Sequence, residues 1–207
     1  MHPAFSIEEA IRFGWEKTRT HSALVFQVVL TVLALQVLQA MVSRTLAGTA
    51  LGFVATVVIA ILEFFVGIGA TVIALKLARG HHAKYADLMP QMRLAWRYFL
   101  ASLLVGLIVV CGLILLIIPG IYLILRFSMT RFAVVDGAGV NESLSLSTKL
   151  TGGVKWHLLG FFVVLILLNI VGALLLLVGL LVTMPVSMLA AAHVYLKLKG
   201  RHHSPAH

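Results

Sequence analysis

Charge is scarce in this sequence. Of its 207 residues 11% are charged, against roughly 25% in soluble domains, and only seven are acidic. The single cysteine excludes an intrachain disulfide. Hydrophobic residues make up 61% of the chain, and apolar runs recur along most of its length. This composition excludes a soluble globular domain and predicts a polytopic membrane protein with little mass outside the membrane.

Motifs of the common enzymes are also missing. The sequence contains no HExxH, GxSxG or GxxxxGKS/T motif and no paired carboxylates of the kind used in acid–base catalysis. The histidines near the apolar runs lack the i, i+4 spacing of a helical metal site. The net charge of +9 indicates membrane topology and not a nucleic-acid partner. We therefore expect no enzyme activity, no metal and no cofactor.

Six apolar runs predict an all-α fold with six membrane-spanning helices. The predicted spans are 22–42, 51–75, 98–118, 121–135, 156–177 and 180–196. Short turns near 44–48, at Pro119-Gly120 and at Val178-Gly179 join them as three hairpins. These turns hold one basic residue, Arg44, whereas the termini and the two long connections are rich in Lys and Arg. By the positive-inside rule both termini are cytoplasmic.

A segment of helical but non-spanning character precedes each predicted hairpin. The three segments read SIEEAIRFGWEKTRTHS, KYADLMPQMRLAWRYF and GVNESLSLSTKLTGGVKWH. Glu9, Asp87 and Glu142 occupy matching positions in them, and Ser6 with Glu9 forms a capping-box pattern that predicts a helix start near residue 7. We expect amphipathic helices that lie along the cytoplasmic surface of the membrane.

These segments indicate a threefold repeat of one amphipathic helix followed by one helical hairpin. The repeat units are 6–78, 84–136 and 140–199, within a single membrane domain over 1–207. Trp15 belongs to the apolar face of the first amphipathic helix. Trp156 anchors the fifth span at the membrane interface.

Two ionisable residues, Glu63 and Arg126, fall in the core of predicted spans, and Arg131 and Asp136 lie nearer the cytoplasmic edge. A charge at the membrane centre costs about 2.5–3.5 kcal/mol even on the lenient insertion scale. Glu63 and Arg126 can pair if the second and fourth spans are neighbours. That pair either fixes helix packing or belongs to an anion or proton site in a polar cavity; snorkelling of Arg126 with protonation of Glu63 is a third interpretation.

The fourth span is short. Its fifteen residues cover about 22 Å, against a hydrocarbon core of about 30 Å. The mismatch predicts irregular backbone near Arg126 and Arg131, which a membrane tolerates only where protein or a water-filled cavity covers it. In the fifth span, Asn169 is predicted to hydrogen-bond to a neighbouring helix.

The run 115–161 resembles a group of bacterial membrane proteins related to the membrane domain of glycerophosphoryl diester phosphodiesterases. The matching residues are Pro119, Gly120, Tyr122, Arg126, Asp136, Glu142, Ser143, Leu144, Leu150, Thr151, Gly153 and Trp156, continued by Gly179, Thr183 and Pro185. The resemblance implies a six-helix protein of the bacterial inner membrane. The phosphodiesterase catalytic domain of some relatives is missing from this sequence, so the resemblance implies no reaction.

Three functions fit these features. The first is a non-enzymatic inner-membrane protein that binds or transports a lipid, peptide or other amphipathic ligand through a polar cavity near Glu63, Arg126, Arg131 and Asp136. The second is an accessory or assembly subunit whose buried charges serve packing alone. The third and weakest is an enzyme acting on a lipid headgroup. Membrane lipids are the expected partners, and a protein partner or a homo-oligomer stays open.

Overall fold

The computed structural model describes residues 5–89, 92–175 and 179–203, and within them the chain is all-α, as predicted. In these ranges six segments are long and apolar enough to cross a membrane, so the fold is that of a multi-pass membrane protein. The α-helices of the described ranges are α1 (Ile7–Thr20), α2 (Ser22–Thr45), α3 (Ala50–Ala78), α4 (Met92–Leu115), α5 (Ile117–Phe127), α6 (Thr130–Val135), α7 (Val140–Thr151), α8 (Lys155–Leu174) and α9 (Leu180–His203).

The last helix is the centre of the fold. Helix α9 contacts α1, α2, α3, α7 and α8, and the side chain of Tyr195 on this helix is completely buried. Phe161, Leu77 and Met129 are buried around it. Elsewhere the candidate spans expose large apolar side chains, among them Phe53 at 72%. An apolar surface of this kind is stable only against lipid or another apolar surface.

Helix α1 begins where the sequence predicts, because Ser6 Oγ accepts a hydrogen bond from the Glu9 backbone N–H at 3.3 Å. The helix packs against α9, and the two backbones approach closely at Gly14. A Cβ at Gly14 would lie only 2.4 Å from the carbonyl oxygen of Val186. Glu9 contacts Lys197 further along α9, so residue numbers rise along α1 as they fall along α9. The two helices are therefore antiparallel.

The predicted turn at Pro119-Gly120 is one turn too late. The chain reverses at Leu116, and Pro119 lies in the first turn of α5, where its missing N–H leaves no hydrogen bond unmade. Gly120 then allows α5 to approach α4, because a Cβ there would meet the Leu113 side chain at 2.3 Å. In the last predicted turn, Val178 lies outside the described residues, and Gly179 packs directly on Gly172 of α8.

The fourth span is not one helix. Ser128 and Met129 interrupt it between α5 and α6, that is, between Arg126 and Arg131. Helix α7 covers the interruption: Ser147 Oγ accepts a hydrogen bond from the Met129 N–H at 3.2 Å and donates one to the Arg126 carbonyl at 2.8 Å. Buried hydroxyl groups thus satisfy backbone groups that the broken helix leaves free.

In the described residues the second predicted segment does not form an amphipathic helix separate from the span that follows it. The segment contains a single 3-10 turn, Tyr85–Leu88, and by Met92 the chain has entered the spanning helix α4. This turn is anchored on α3, because Lys76 donates to Asp87 at 2.7 Å and Leu88 packs on Gly69. A tight backbone contact at Gly69 and one ion pair thus hold the 3-10 turn on α3.

Glu9, Asp87 and Glu142 each occupy the third position of their own helix or 3-10 turn. Asp87 and Glu142 accept hydrogen bonds from the backbone N–H groups of Lys84 and Gly139 respectively. Small residues at matching positions of α1 and α7 are all buried: Ala10, Gly14 and Thr18 in α1, and Ser143, Ser147 and Thr151 in α7. The first and third segments thus share one packing pattern, and the threefold repeat stays a prediction.

Candidate functional site

A cavity of about 750 Å³ lies between α4, the α5–α6 segment and the α8–α9 pair. Its long wall is a stripe on α4 that runs from Tyr98 to Val109, about 16 Å of helix. Most of the remaining lining is apolar and includes Phe162, Met184 and Met188. The polar lining residues are Thr71, Tyr98, Ser102, Ser128, Thr130, Arg131, Asn169 and Ser187.

Two polar atoms of this lining are buried without a hydrogen-bond partner among the described residues. Thr130, which is 2% exposed, has an unpartnered Oγ1. Asn169 uses its amide nitrogen to donate to Ser187 Oγ and to the Leu165 carbonyl, both at 2.8 Å, while its Oδ1 has no partner. The predicted interhelical hydrogen bond of Asn169 is therefore confirmed, and one oxygen of the amide is left over.

Arg131 supplies the only basic side chain among the residues that line this cavity. It lies in α6, directly after Thr130, and is exposed. Within the described part of the chain it forms neither an ion pair nor a hydrogen bond. The cavity thus combines one uncompensated cation with a long apolar wall.

Arg126 is held away from the cavity. Its Nε donates to Thr148 Oγ1 of α7 at 3.2 Å, and its guanidinium lies 5.8 Å from the centre of the Phe127 ring. The conditional pair with Glu63 is not formed, and no ion pair or hydrogen bond of Glu63 occurs within residues 5–89, 92–175 and 179–203. Helix α3 packs mainly on α2, on α9, on the 3-10 turn Tyr85–Leu88 and on α6, so the second and fourth spans are neighbours at α6. Arg126 lies in the other part of the fourth span, α5, and does not meet Glu63.

Asp136 lies in a compact charge cluster. Its carboxylate, 8% exposed, accepts hydrogen bonds from Arg79 and Lys199, and from the Tyr195 hydroxyl at 2.8 Å. Burial by itself raises the pKa of Asp136, but the hydrogen bonds from Lys199, Arg79 and Tyr195 outweigh it and hold the pKa below its ordinary value. The cluster joins the ends of α3, α6 and α9, which makes Asp136 a packing residue and not a cavity residue.

The other residues singled out from the sequence occupy surface or structural positions. Trp15 and Trp156 are 54% and 83% exposed, as side chains at a membrane interface can be. The Tyr122 hydroxyl accepts a hydrogen bond from Lys155 Nζ at 2.6 Å. Pro185 lies inside α9 on a narrow apolar groove shared with α2 and α3.

The comparisons with known proteins give no match from which a function could be inferred. The chain matches no protein-family model, no curated protein and no solved structure. The resemblance to the phosphodiesterase membrane domain therefore stays a prediction.

Of the four predicted ligand-binding residues, only Arg131 lines the cavity. The sequence reasoning missed Thr130 and Ser187, because a hydroxyl residue in an apolar run is common and carries no signal of its own. It also missed Arg79, Lys199 and Tyr195 as partners of Asp136. These residues are 57, 63 and 59 positions away in sequence, so only the tertiary contacts reveal them.

Proposed function

We propose that this protein is a non-enzymatic membrane protein that binds an anionic amphipathic ligand, of the phospholipid kind, in the cavity beside Arg131. The observation that carries the proposal is the combination of one unpaired guanidinium with an apolar wall about 16 Å long. An acyl chain fits such a wall, and an anionic headgroup provides the negative counter-charge that the Arg131 guanidinium lacks.

The unpartnered oxygens support a ligand with hydrogen-bond donors as well as charge. Thr130 Oγ1 and Asn169 Oδ1 both belong to residues of the cavity lining, and neither has a hydrogen-bond partner among the described residues. Leaving buried polar atoms unsatisfied costs about 1–3 kcal/mol each. A headgroup that carries hydroxyl groups as well as a phosphate, such as that of phosphatidylglycerol, meets both requirements.

The remaining predicted ligand residues are left out of this site for physical reasons. Asp136 already has two cationic partners, and its negative charge would repel an anion. Glu63 is not part of the cavity lining. The location that accords with this function is the inner membrane of a bacterium, with both termini in the cytoplasm and the Arg131 end of the cavity at the cytoplasmic headgroups.

Native mass spectrometry of the detergent-purified protein tests this function. Dioleoyl phosphatidylglycerol is titrated into wild type, Arg131→Gln and Arg93→Gln, with dioleoyl phosphatidylcholine as the lipid without net charge. Arg93 is an exposed arginine of α4 that does not line the cavity, so its variant controls for the loss of one positive charge. We expect the affinity of Arg131→Gln for phosphatidylglycerol to fall roughly tenfold to a hundredfold and that of Arg93→Gln to stay unchanged.

Thr130→Val provides a second variant of nearly the same shape. It removes the unpartnered hydroxyl group. The variant should therefore bind phosphatidylglycerol more weakly than wild type does, with a smaller loss for phosphatidic acid, whose headgroup has no glycerol hydroxyls. Equal binding of phosphatidylglycerol to wild type, Arg131→Gln and Thr130→Val would remove the basis of the proposal. That result would instead favour an accessory subunit whose charges serve packing.

A further inference from the structure

A second group of cations lies where α5 meets the start of α8. Tyr122 and Arg126 are four residues apart on α5 and so share one helix face. Lys155, the first residue of α8, places its ammonium group 2.6 Å from the Tyr122 hydroxyl oxygen and 4.1 Å from the centre of the Tyr122 ring. None of the three residues lines the cavity of Arg131.

These three side chains offer many hydrogen-bond donors and face no acceptor with a negative charge. Arg126 uses only its Nε, toward Thr148, which leaves both Nη groups without a bond to any described residue. Lys155 donates to the Tyr122 oxygen, so two of its N–H groups and the Tyr122 O–H remain available. In the part of the chain that the structure describes, no carboxylate pairs with Arg126 or Lys155.

The two cations are held in place by the fold. The Arg126 carbonyl accepts hydrogen bonds from Ser147 at 2.8 Å and Thr151 at 3.2 Å, and Thr148 between them orients the guanidinium. Gly153, with φ of 76°, forms the left-handed turn that brings Lys155 back toward α5. Arg126 is half-buried, so its charge is costly without a counter-ion.

We propose that Tyr122, Arg126 and Lys155 form a phosphate-binding site. A phosphate group presents several oxygens to the donors of a guanidinium, an ammonium and a phenol at once, which a single carboxylate does less well. Trp156 follows Lys155 and is 83% exposed, as expected of a side chain at the level of lipid headgroups. The site stands on contacts separate from the Arg131 cavity, so it holds whether or not that cavity binds a ligand.

Phosphorus-31 NMR of the detergent-solubilised protein tests the site directly. Dihexanoyl phosphatidic acid is titrated into wild type, Lys155→Gln and Arg126→Lys, and into the control Lys149→Gln, an exposed lysine of α7. We expect Lys155→Gln to raise the dissociation constant roughly tenfold, Arg126→Lys to raise it less, and Lys149→Gln to leave it unchanged. Among the described residues the Lys155 ammonium group hydrogen-bonds to Tyr122 and pairs with no carboxylate, so its variant is expected to fold.

Two further titrations identify the source of the phosphate and the independence of the site. If glycerol 3-phosphate displaces phosphatidic acid, the result supports a site whose ligand is a soluble phosphate compound. If it does not displace phosphatidic acid, the result supports a site whose ligand is a lipid headgroup. Lys155→Gln should weaken phosphatidic acid binding by the same factor in the Arg131→Gln background as in wild type, even if Arg131→Gln abolishes binding in the cavity. If Lys155→Gln and Arg126→Lys both bind phosphatidic acid as tightly as wild type does, the site does not exist.

Discussion

The Tyr195 hydroxyl donates a hydrogen bond to the Asp136 carboxylate at 2.8 Å, across 59 residues of sequence. Tyr195 is fully buried, and its ring stacks on Phe132, one turn before Asp136. With Arg79 and Lys199 on the same carboxylate, this contact joins three helices at one point. The packing of these three helices on one another therefore depends on the Asp136 carboxylate.

Asp136→Asn should destabilise the protein. The amide keeps the shape of the side chain but loses the charge-assisted hydrogen bonds from Arg79 and Lys199, each of a kind worth about 1.5–3 kcal/mol. We expect a clear drop in the midpoint of thermal unfolding in detergent. The matched control is Asp87→Asn. It breaks the ion pair with Lys76, which is more exposed, and should lower the free energy of unfolding by about 1 kcal/mol or less. Equal losses in the two variants would contradict the central role of Asp136.

The same cluster predicts how stability depends on pH. The pKa of Asp136 is lower in the folded protein than its ordinary value of 3.8, so the unfolded state binds the proton more readily. Its contribution is complete above the ordinary pKa and is lost as pH falls through the lower, folded value. The difference in unfolding midpoint between wild type and Asp136→Asn should thus be constant from pH 8 to about 5 and shrink below about 4. A difference that grows on acidification would show the opposite sign of shift.

Ser147→Ala tests the break between α5 and α6. The substitution removes, from a fully buried side chain, the acceptor of the Met129 N–H and a donor to the Arg126 carbonyl, and should cost about 1–3 kcal/mol. Ser145 lies on the same helix and is exposed, so Ser145→Ala should change stability by about 0.5 kcal/mol at most. Chemical unfolding of both variants gives the comparison. If Ser147→Ala leaves the free energy of unfolding unchanged, the hydrogen bonds of Ser147 are not needed to stabilise the interruption between α5 and α6.

Gly14→Ala tests the packing of α1 on α9. The added Cβ would lie 2.4 Å from the Val186 oxygen and 3.2 Å from the Ala190 nitrogen, both backbone atoms, so α1 must move outward. We expect a loss of about 1–3 kcal/mol, read from the thermal unfolding midpoint. Gly67→Ala is the control, because nothing lies within 4 Å of its Cβ position, and the higher helix propensity of alanine should leave stability equal or higher. Similar losses in both variants would argue against this close contact.

The features that the sequence alone predicts are those that depend on neighbouring residues. Apolar runs of spanning length give the all-α, six-span fold, because hydrocarbon admits a lone backbone segment only as a helix. Ser6 caps α1 as predicted, because capping joins groups only three residues apart. The short fourth span likewise indicates irregular backbone near Arg126 and Arg131, where Ser128 and Met129 interrupt the helix.

The tertiary structure decides which charge meets which partner. Glu63 and Arg126 both fall in the core of predicted spans, yet they do not pair, since the sequence does not say which parts of two neighbouring spans come into contact. Asp136 finds its partners on α9 and at the end of α3, and Arg131 alone of the predicted set lines the cavity. Such contacts join residues that are distant in sequence, and apolar periodicity leaves the order of helices around the bundle undetermined.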